Sequence, residues 1–191
     1  MNKYKIIAIC GKSASGKDTL MKEILKQDSS LNEIISFTTR PPREGEVDGV
    51  NYHFLSNEEF AKQIESGEMI EATAFRDWCY GTSLKALDKN KINIGVFNVD
   101  GIDILYDTPC VDLYVVLVET PAKERLIRSL NRESNPDVEE IIRRYQADEE
   151  DFEYFYGQNA TLYNMDGNDI IDSARGVLDL ALEYWSLGKI D

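Results

Sequence analysis

Gly11-Lys12-Ser13-Ala14-Ser15-Gly16-Lys17-Asp18-Thr19 is the stretch on which the reading of this chain turns. It follows an apolar run, Ile6-Ile7-Ala8-Ile9-Cys10, that reads as a buried parallel strand. It precedes Leu20, Met21, Ile24 and Leu25, which share one face of a helix. Strand, glycine-rich loop and helix in that order make the setting of a phosphate-binding loop. Gly11 and Gly16 let the backbone fold around oxygens with its N–H groups turned inward. The helix N-terminus adds partial positive charge and Lys17 a full one. The pattern G-x-x-x-x-G-K is complete and points to a nucleoside triphosphate, so Gly11 to Thr19 form the candidate donor site. The next position is commonly a Ser or Thr whose hydroxyl meets Mg²⁺. Here it is Asp18, with Thr19 one place later, and the choice of metal ligand between them stays open.

Composition bounds the remaining possibilities. The 191 residues are 42% apolar, enough for one sizeable core with small mobile parts. A net charge of −14 argues against nucleic acid or an anionic membrane as partner. Any nucleotide site must then be a basic cluster set against an acidic field. Cys10, Cys79 and Cys110 are odd in number and far apart, which fits reduced thiols in a cytoplasmic protein. The first apolar run is too short for a signal peptide or a membrane span. The single His53, in Tyr52-His53-Phe54, reads as a strand residue and cannot make a metal cluster.

Along the chain, a short strand is expected from Glu33 to Phe37, followed by a polar loop rich in Pro and Gly from Thr38 to Gly49. Tyr52 to Leu55 reads as a strand. Ser56-Asn57-Glu58-Glu59 then forms a capping box that opens a helix, with Leu55 and Phe60 placed as a hydrophobic staple. This helix should carry Phe60, Ala61 and Ile64 inward and stop at Gly67. Strands follow near Met69–Phe75 and Trp78–Gly81, then a helix from Ser83 to Lys89. A strand from Ile92 to Val99 leaves Asp100 at its C-terminal end, where open α/β sheets place ligands. Val111 to Val118 is a buried strand. Thr120 is placed to cap the next helix and Pro121 to open it. That helix holds Arg125, Arg128 and Arg132, which taken alone read as a solvated face. Pro136 starts a further helix with Arg143 and Arg144, ending in an acidic run from Asp148 to Glu153. A last strand near Ala160–Tyr163 leads to a closing helix. Ile170, Ala174, Val177, Leu178, Ala181 and Trp185 lie on one face of it, and Gly188 ends it.

The stretch Ser36-Phe37-Thr38-Thr39-Arg40-Pro41-Pro42-Arg43-Glu44-Gly45-Glu46-Val47-Asp48-Gly49-Val50-Asn51-Tyr52-His53-Phe54 closely resembles the signature of the guanylate kinase family of nucleoside monophosphate kinases. The resemblance continues through Gly67-Glu68-Met69-Ile70-Glu71, Tyr80-Gly81-Thr82 and Asp100, and covers about Tyr4 to Trp185. It implies an α/β fold: a P-loop parallel sheet with helices on both faces, a small mixed α+β insert that binds the monophosphate, and a helical lid. The corresponding partition is core 1–35, 83–125 and 151–191, insert 36–82 and lid 126–150. The implied reaction is ATP-dependent phosphorylation of GMP or dGMP, with Mg²⁺ as cofactor and a monomer or homodimer as the working form. Other readings are a broader deoxynucleoside monophosphate kinase and a non-catalytic guanylate-kinase-like binding module. The intact Gly11, Gly16 and Lys17 argue against the module.

By position, the resemblance assigns Arg40, Arg43, Tyr52 and Tyr80 to the acceptor phosphate. Two guanidinium forks and two phenols suit a dianion. Ser36 and Thr82 fall to the guanine edge, and Gly81, between Tyr80 and Thr82, belongs to the same acceptor site. Glu71 would accept from guanine N1–H and the 2-amino group. Asp100 would sit near Mg²⁺ and the acceptor nucleoside. Lys17, Arg40, Arg128, Arg132 and Arg144 form the charge set for transfer, with Arg143 competing for the last lid position. Asp18, Thr19 and Asp100 are the implied metal ligands. The chain departs from the family pattern at Asp18, at Asn98 where an acid is common, and at Gly101-Ile102-Asp103 where Gln and Gly usually begin. Gly16-Lys17-Asp18-Thr19 also resembles some phage-type deoxynucleoside monophosphate kinases.

Overall fold

A computed structural model describes residues 3–75, 77–132, 134–163 and 169–187. Five strands form one sheet in the order β2-β7-β1-β8-β9, a parallel arrangement flanked by helices. They are β1 (Tyr4–Cys10), β2 (Asn32–Glu33), β7 (Ile92–Val96), β8 (Val111–Glu119) and β9 (Ala160–Tyr163). The runs Ile6 to Cys10 and Leu113 to Val118 are buried, as parallel strands covered on both sides must be. By internal contacts the chain divides into two compact units. One comprises Met1–Ile6, Ser30–Gly95 and Asp100–Leu113. The other comprises Ile7–Ser29, Val96–Val99 and Tyr114–Asp191.

In the first unit, β3 (Phe37–Thr38), β4 (His53–Phe54), β5 (Met69–Phe75) and β6 (Trp78–Ser83) form a second sheet in the order β4-β3-β6-β5. β5 and β6 are an antiparallel hairpin in which Glu71 faces Thr82. Helix α2 (Asn57–Glu65) begins with the expected capping box. The Ser56 hydroxyl accepts from Glu59 N–H and the Glu59 carboxylate from Ser56 N–H. Gly67 follows at φ 71°, the left-handed turn that ends the helix. Of the three side chains expected to face inward, only Phe60 is buried; Ala61 and Ile64 are exposed. His53 is a strand residue, as expected, and packs on Phe37.

Three expectations in this part of the chain give way. The strand placed over Glu33–Phe37 is two pieces, β2 in one sheet and β3 in the other. The helix placed over Ser83–Lys89 is a single 3₁₀ turn, Leu84–Ala86. There the buried Asn93 side chain accepts from Asp88 N–H and donates to Asp88 C=O, so a residue just past the segment holds its end out of helical form. The strand expected to reach Val99 stops at Val96, and α3 (Val99–Tyr106) begins. Asp100 therefore lies in the first turn of a helix. Gly101, Ile102 and Leu105 are buried, and short apolar runs do not distinguish a covered strand from a covered helix.

In the second unit, α1 (Lys17–Gln27) packs along α6 (Asp169–Leu187) through Leu20, Met21, Ile24, Ala174, Val177 and Ala181. Of the face expected for α6, Ala174, Val177 and Ala181 are buried and Ile170, Leu178 and Trp185 half-buried; Gly188 lies outside the described residues. Helix α4 (Ala122–Leu130) packs on α5 (Val138–Asp151). Thr120 does not cap α4. Its hydroxyl donates to Ser15 C=O at 2.8 Å, tying the end of β8 to the glycine-rich loop. Asp137, not Pro136, starts α5 by accepting from Glu140 N–H. All three cysteines are free; burial pushes the Cys10 thiol up to about 12, so it carries no thiolate. No helix among the described residues is long and apolar enough to cross a membrane.

Candidate active site

The glycine-rich loop follows β1 and runs into α1. Gly11 has φ 147° and Gly16 φ 104°, and a Cβ at Gly11 would stand 2.3 Å from Val118 C=O, so no other residue fits there. Ala14 sits at φ 60°, an uncommon conformation for a residue with a Cβ. The Lys17 ammonium folds back over the loop and donates to Gly11 C=O at 2.7 Å and Lys12 C=O at 3.0 Å. Burial pulls its pKa down. The charges of Asp18 and Asp148 oppose that shift, and Arg132 reinforces it. Arg132 is thus close enough to be felt at the loop. Arg128 donates to the carbonyls of Ala14 and Ser15. Arg143 and Arg144 both donate to Glu140 on their own helix.

Asp18 and Thr19 are exposed in the first turn of α1. Both offer hard oxygen donors. Mg²⁺ takes only one or two such ligands from a protein when phosphates and water supply the rest, so the donor set fits that ion. Among the described residues, no group of three or more His, Cys, Asp or Glu side chains is placed to hold a metal ion by itself.

In the other unit, β3, β5 and β6 bring Ser36, Glu71 and Thr82 together. The Ser36 and Thr82 hydroxyls are 3.2 Å apart, and Thr82 hydrogen-bonds the Glu71 carboxylate. Glu71 is 5% exposed and has no ion pair among the described residues. Burial pushes its carboxyl up to about 7, and the Thr82 hydroxyl pulls the other way. Gly81 is closely packed: a Cβ there would meet Glu71 C=O at 3.0 Å and the Phe60 ring at 3.1 Å.

Beside this group, the Arg40 guanidinium is 3% exposed and lies 5.5 Å from the Tyr52 ring centre. Tyr52 and Tyr80 meet edge to face at 6.1 Å. Arg40 grips Glu46 with two 2.9 Å hydrogen bonds, and Arg43 N–H donates to the same carboxylate at 2.7 Å. Burial works against the Arg40 charge, but Glu46 outweighs it and raises the pKa of the guanidinium. Sequence reasoning quoted Glu46 without giving it a role. Its spacing of three residues from Arg43, in a turn, is the signal that was there to read. Asp100 is exposed in the first turn of α3.

The guanylate kinase family profile matches residues 3–179. The chain belongs to the guanylate kinase family. A guanylate kinase of Campylobacter jejuni strain RM1221 is 36% identical over 146 residues, covering 74% of this chain and 71% of that protein. The guanylate kinase of Gluconobacter oxydans strain 621H is 32% identical over 180 residues, covering 92% and 86%. In structure the chain is similar to a guanylate kinase from Anaplasma phagocytophilum, with a TM-score of 0.72 at 19% identity, covering 99% of this chain and 89% of that one. That likeness bears on the fold. It agrees with the guanylate kinase architecture of a parallel sheet flanked by helices.

Proposed function

We propose that this chain phosphorylates GMP and dGMP with ATP, giving the diphosphates by direct in-line transfer. The observation that carries the reading is Glu71, a buried carboxylate next to the Thr82 hydroxyl with no ion pair among the described residues. A carboxylate so placed leaves acceptor capacity for two donors side by side, and guanine offers N1–H and the 2-amino group. Ser36 and Thr82 complete the edge. Arg40, Arg43, Tyr52 and Tyr80 take the acceptor phosphate, with Glu46 orienting both guanidinium groups.

On the donor side, Lys17 and the loop amides hold the ATP phosphates. Arg128, Arg132 and Arg144, or Arg143 in place of the last, neutralise the transferring group. Asp18 and Thr19, with Asp100 as a further carboxylate, are the residues offered to Mg²⁺, which supplies charge neutralisation of the phosphates when bound. The acceptor phosphate oxygen attacks the γ-phosphorus, the bond to the β-phosphate oxygen breaks, and no protein nucleophile intervenes. Residues 36–82 act as the acceptor insert and 126–150 as the lid over a core of 1–35, 83–125 and 151–191. Lid closure keeps water from competing as acceptor. The chain works in the cytoplasm as a monomer or homodimer, with small nucleotides rather than nucleic acid or membrane as partners. The test is ADP release from ATP with GMP, dGMP, AMP, CMP, UMP and dTMP offered singly. Turnover confined to GMP and dGMP supports the reading. Turnover with several bases overturns its guanine selectivity, and none at all overturns catalysis.

A further inference from the structure

The acidic run from Asp148 to Glu153 begins within the last turn of α5. Successive helical residues are about 100° apart, so such a run cannot face one way. Glu150 and Asp151 are exposed, but Asp148 is 4% exposed. A carboxylate that buried must be partnered, and its partners are in the glycine-rich loop. One Asp148 oxygen accepts from Ser13 N–H at 2.7 Å and the other from the Ser13 hydroxyl at 3.2 Å. Glu149 accepts from the Lys12 ammonium.

Arg125, from α4, joins the two acids. It lies 3.6 Å from Asp148 and donates to Glu149 at 2.8 Å. Its Nε donates to Thr120 C=O, and its guanidinium rests on the Tyr145 ring at 4.9 Å. Two acids and two bases thus make a network without net charge, one side of which is the loop itself.

We propose that Asp148 is a positioning residue of the donor site, assisted by Glu149: the end of α5 presets the phosphate loop before nucleotide arrives. The inference rests on reading that loop as the ATP site. Lys12 and Ser13 come just before the turn at Ala14 and Gly16, where the backbone takes left-handed conformations. A loop of that kind has much freedom to lose on binding. Anchoring its first half from outside removes part of that cost in advance. Burial lowers the Lys17 pKa, and the Asp148 charge acts against that shift. Because α5 belongs to the proposed lid, the same contacts transmit lid position to the loop.

The test is steady-state kinetics of the full chain with ATP and GMP varied in turn, together with ATP binding by calorimetry and the melting temperature. Asp148→Ala raises the ATP KM and Kd by about tenfold, the loss expected of a charge-assisted hydrogen bond, while the GMP KM stays within about twofold. Asp148→Asn keeps an oxygen for Ser13 N–H and recovers most of the ATP affinity. Glu149→Gln moves the ATP KM in the same direction by less. If Asp148→Ala only lowers the melting temperature, or raises both KM values alike, the role is structural and the inference fails. Should that variant not fold, Ser13→Ala carries the test: a rise in ATP KM alone supports the inference, and an unchanged one overturns it. Absence of turnover in the parent chain would instead sink the reading of the loop as an ATP site.

Discussion

In the unit that holds Glu71, the proposed recognition runs through side chains; in the unit that holds Lys17, it runs mostly through backbone. The residues proposed for the acceptor, Ser36, Arg40, Tyr52, Glu71 and Thr82, lie in or next to the strands of one small sheet and offer hydroxyl, guanidinium, phenol and carboxylate groups. The donor loop offers a curve of amides, fixed by glycines and by one lysine bonded to the loop's own carbonyls. The difference fits what each must read. A triphosphate is recognised by charge and shape, which amides and cations supply whatever base is attached. A base edge is recognised by the direction of its hydrogen bonds, which only placed side chains can match.

This contrast is most easily broken at Lys17. Lys17→Met leaves the acceptor sheet untouched but removes the cation at the donor phosphates. Turnover should drop by about a hundredfold or more, as when a main transition-state charge partner is lost, with GMP binding by calorimetry unchanged. A near-normal rate would mean that the loop is not the donor site.

Acidity should separate the two units next. The Glu71 carboxyl, raised to about 7 by burial, must be ionised to accept two guanine donors. GMP affinity should therefore weaken below pH 7, approaching about tenfold per pH unit, while ATP affinity follows no such curve. Linkage gives a second readout. The folded state holds this proton to higher pH than the unfolded chain does. The ligand-free protein should thus gain stability as pH falls from about 7 toward the ordinary carboxyl range. Flat GMP affinity from pH 8 to 6 would show that the carboxylate is not the base reader.

Smaller effects sharpen the comparison within each unit. Ser36→Ala and Thr82→Ala should each weaken GMP and dGMP by about three- to tenfold, the range of a neutral hydrogen bond, and leave AMP unchanged. On the donor side, Asp18→Ser should keep turnover within about threefold but shift the Mg²⁺ concentration needed for half-maximal rate, because one protein oxygen among several ligands is changed. Overlaid Mg²⁺ curves would assign that duty to Thr19 or water.

How far the sequence could be read differs between the units for the same physical reason. The acceptor elements are local. Ser36 to Phe54 is one contiguous stretch, the capping box at Ser56 spans four residues, and the Glu71–Thr82 pair belongs to one hairpin. Local chemistry written in order is legible. The donor loop was legible for that reason as well, and so was the buried face of α6. What could not be read is what depends on distance. Asp148 and Ser13 are 135 positions apart, and nothing in either stretch announces the other. Arg125 shares a helix and a charge with Arg128, yet one is 4% exposed and welded to two carboxylates while the other faces the loop. Helical spacing gives both residues a face but does not say which face finds a partner.

The most direct test of the account is the GMP-to-AMP ratio of kcat/KM, measured in the parent chain and in Glu71→Gln. An unpaired buried carboxylate facing adenine costs about 1–3 kcal/mol or more, so the parent ratio should be at least about ten- to a hundredfold. The variant should lose most of that preference by losing GMP activity, with AMP activity little changed. A parent ratio near unity, or an equal loss on both substrates in the variant, would contradict the claim that Glu71 selects guanine.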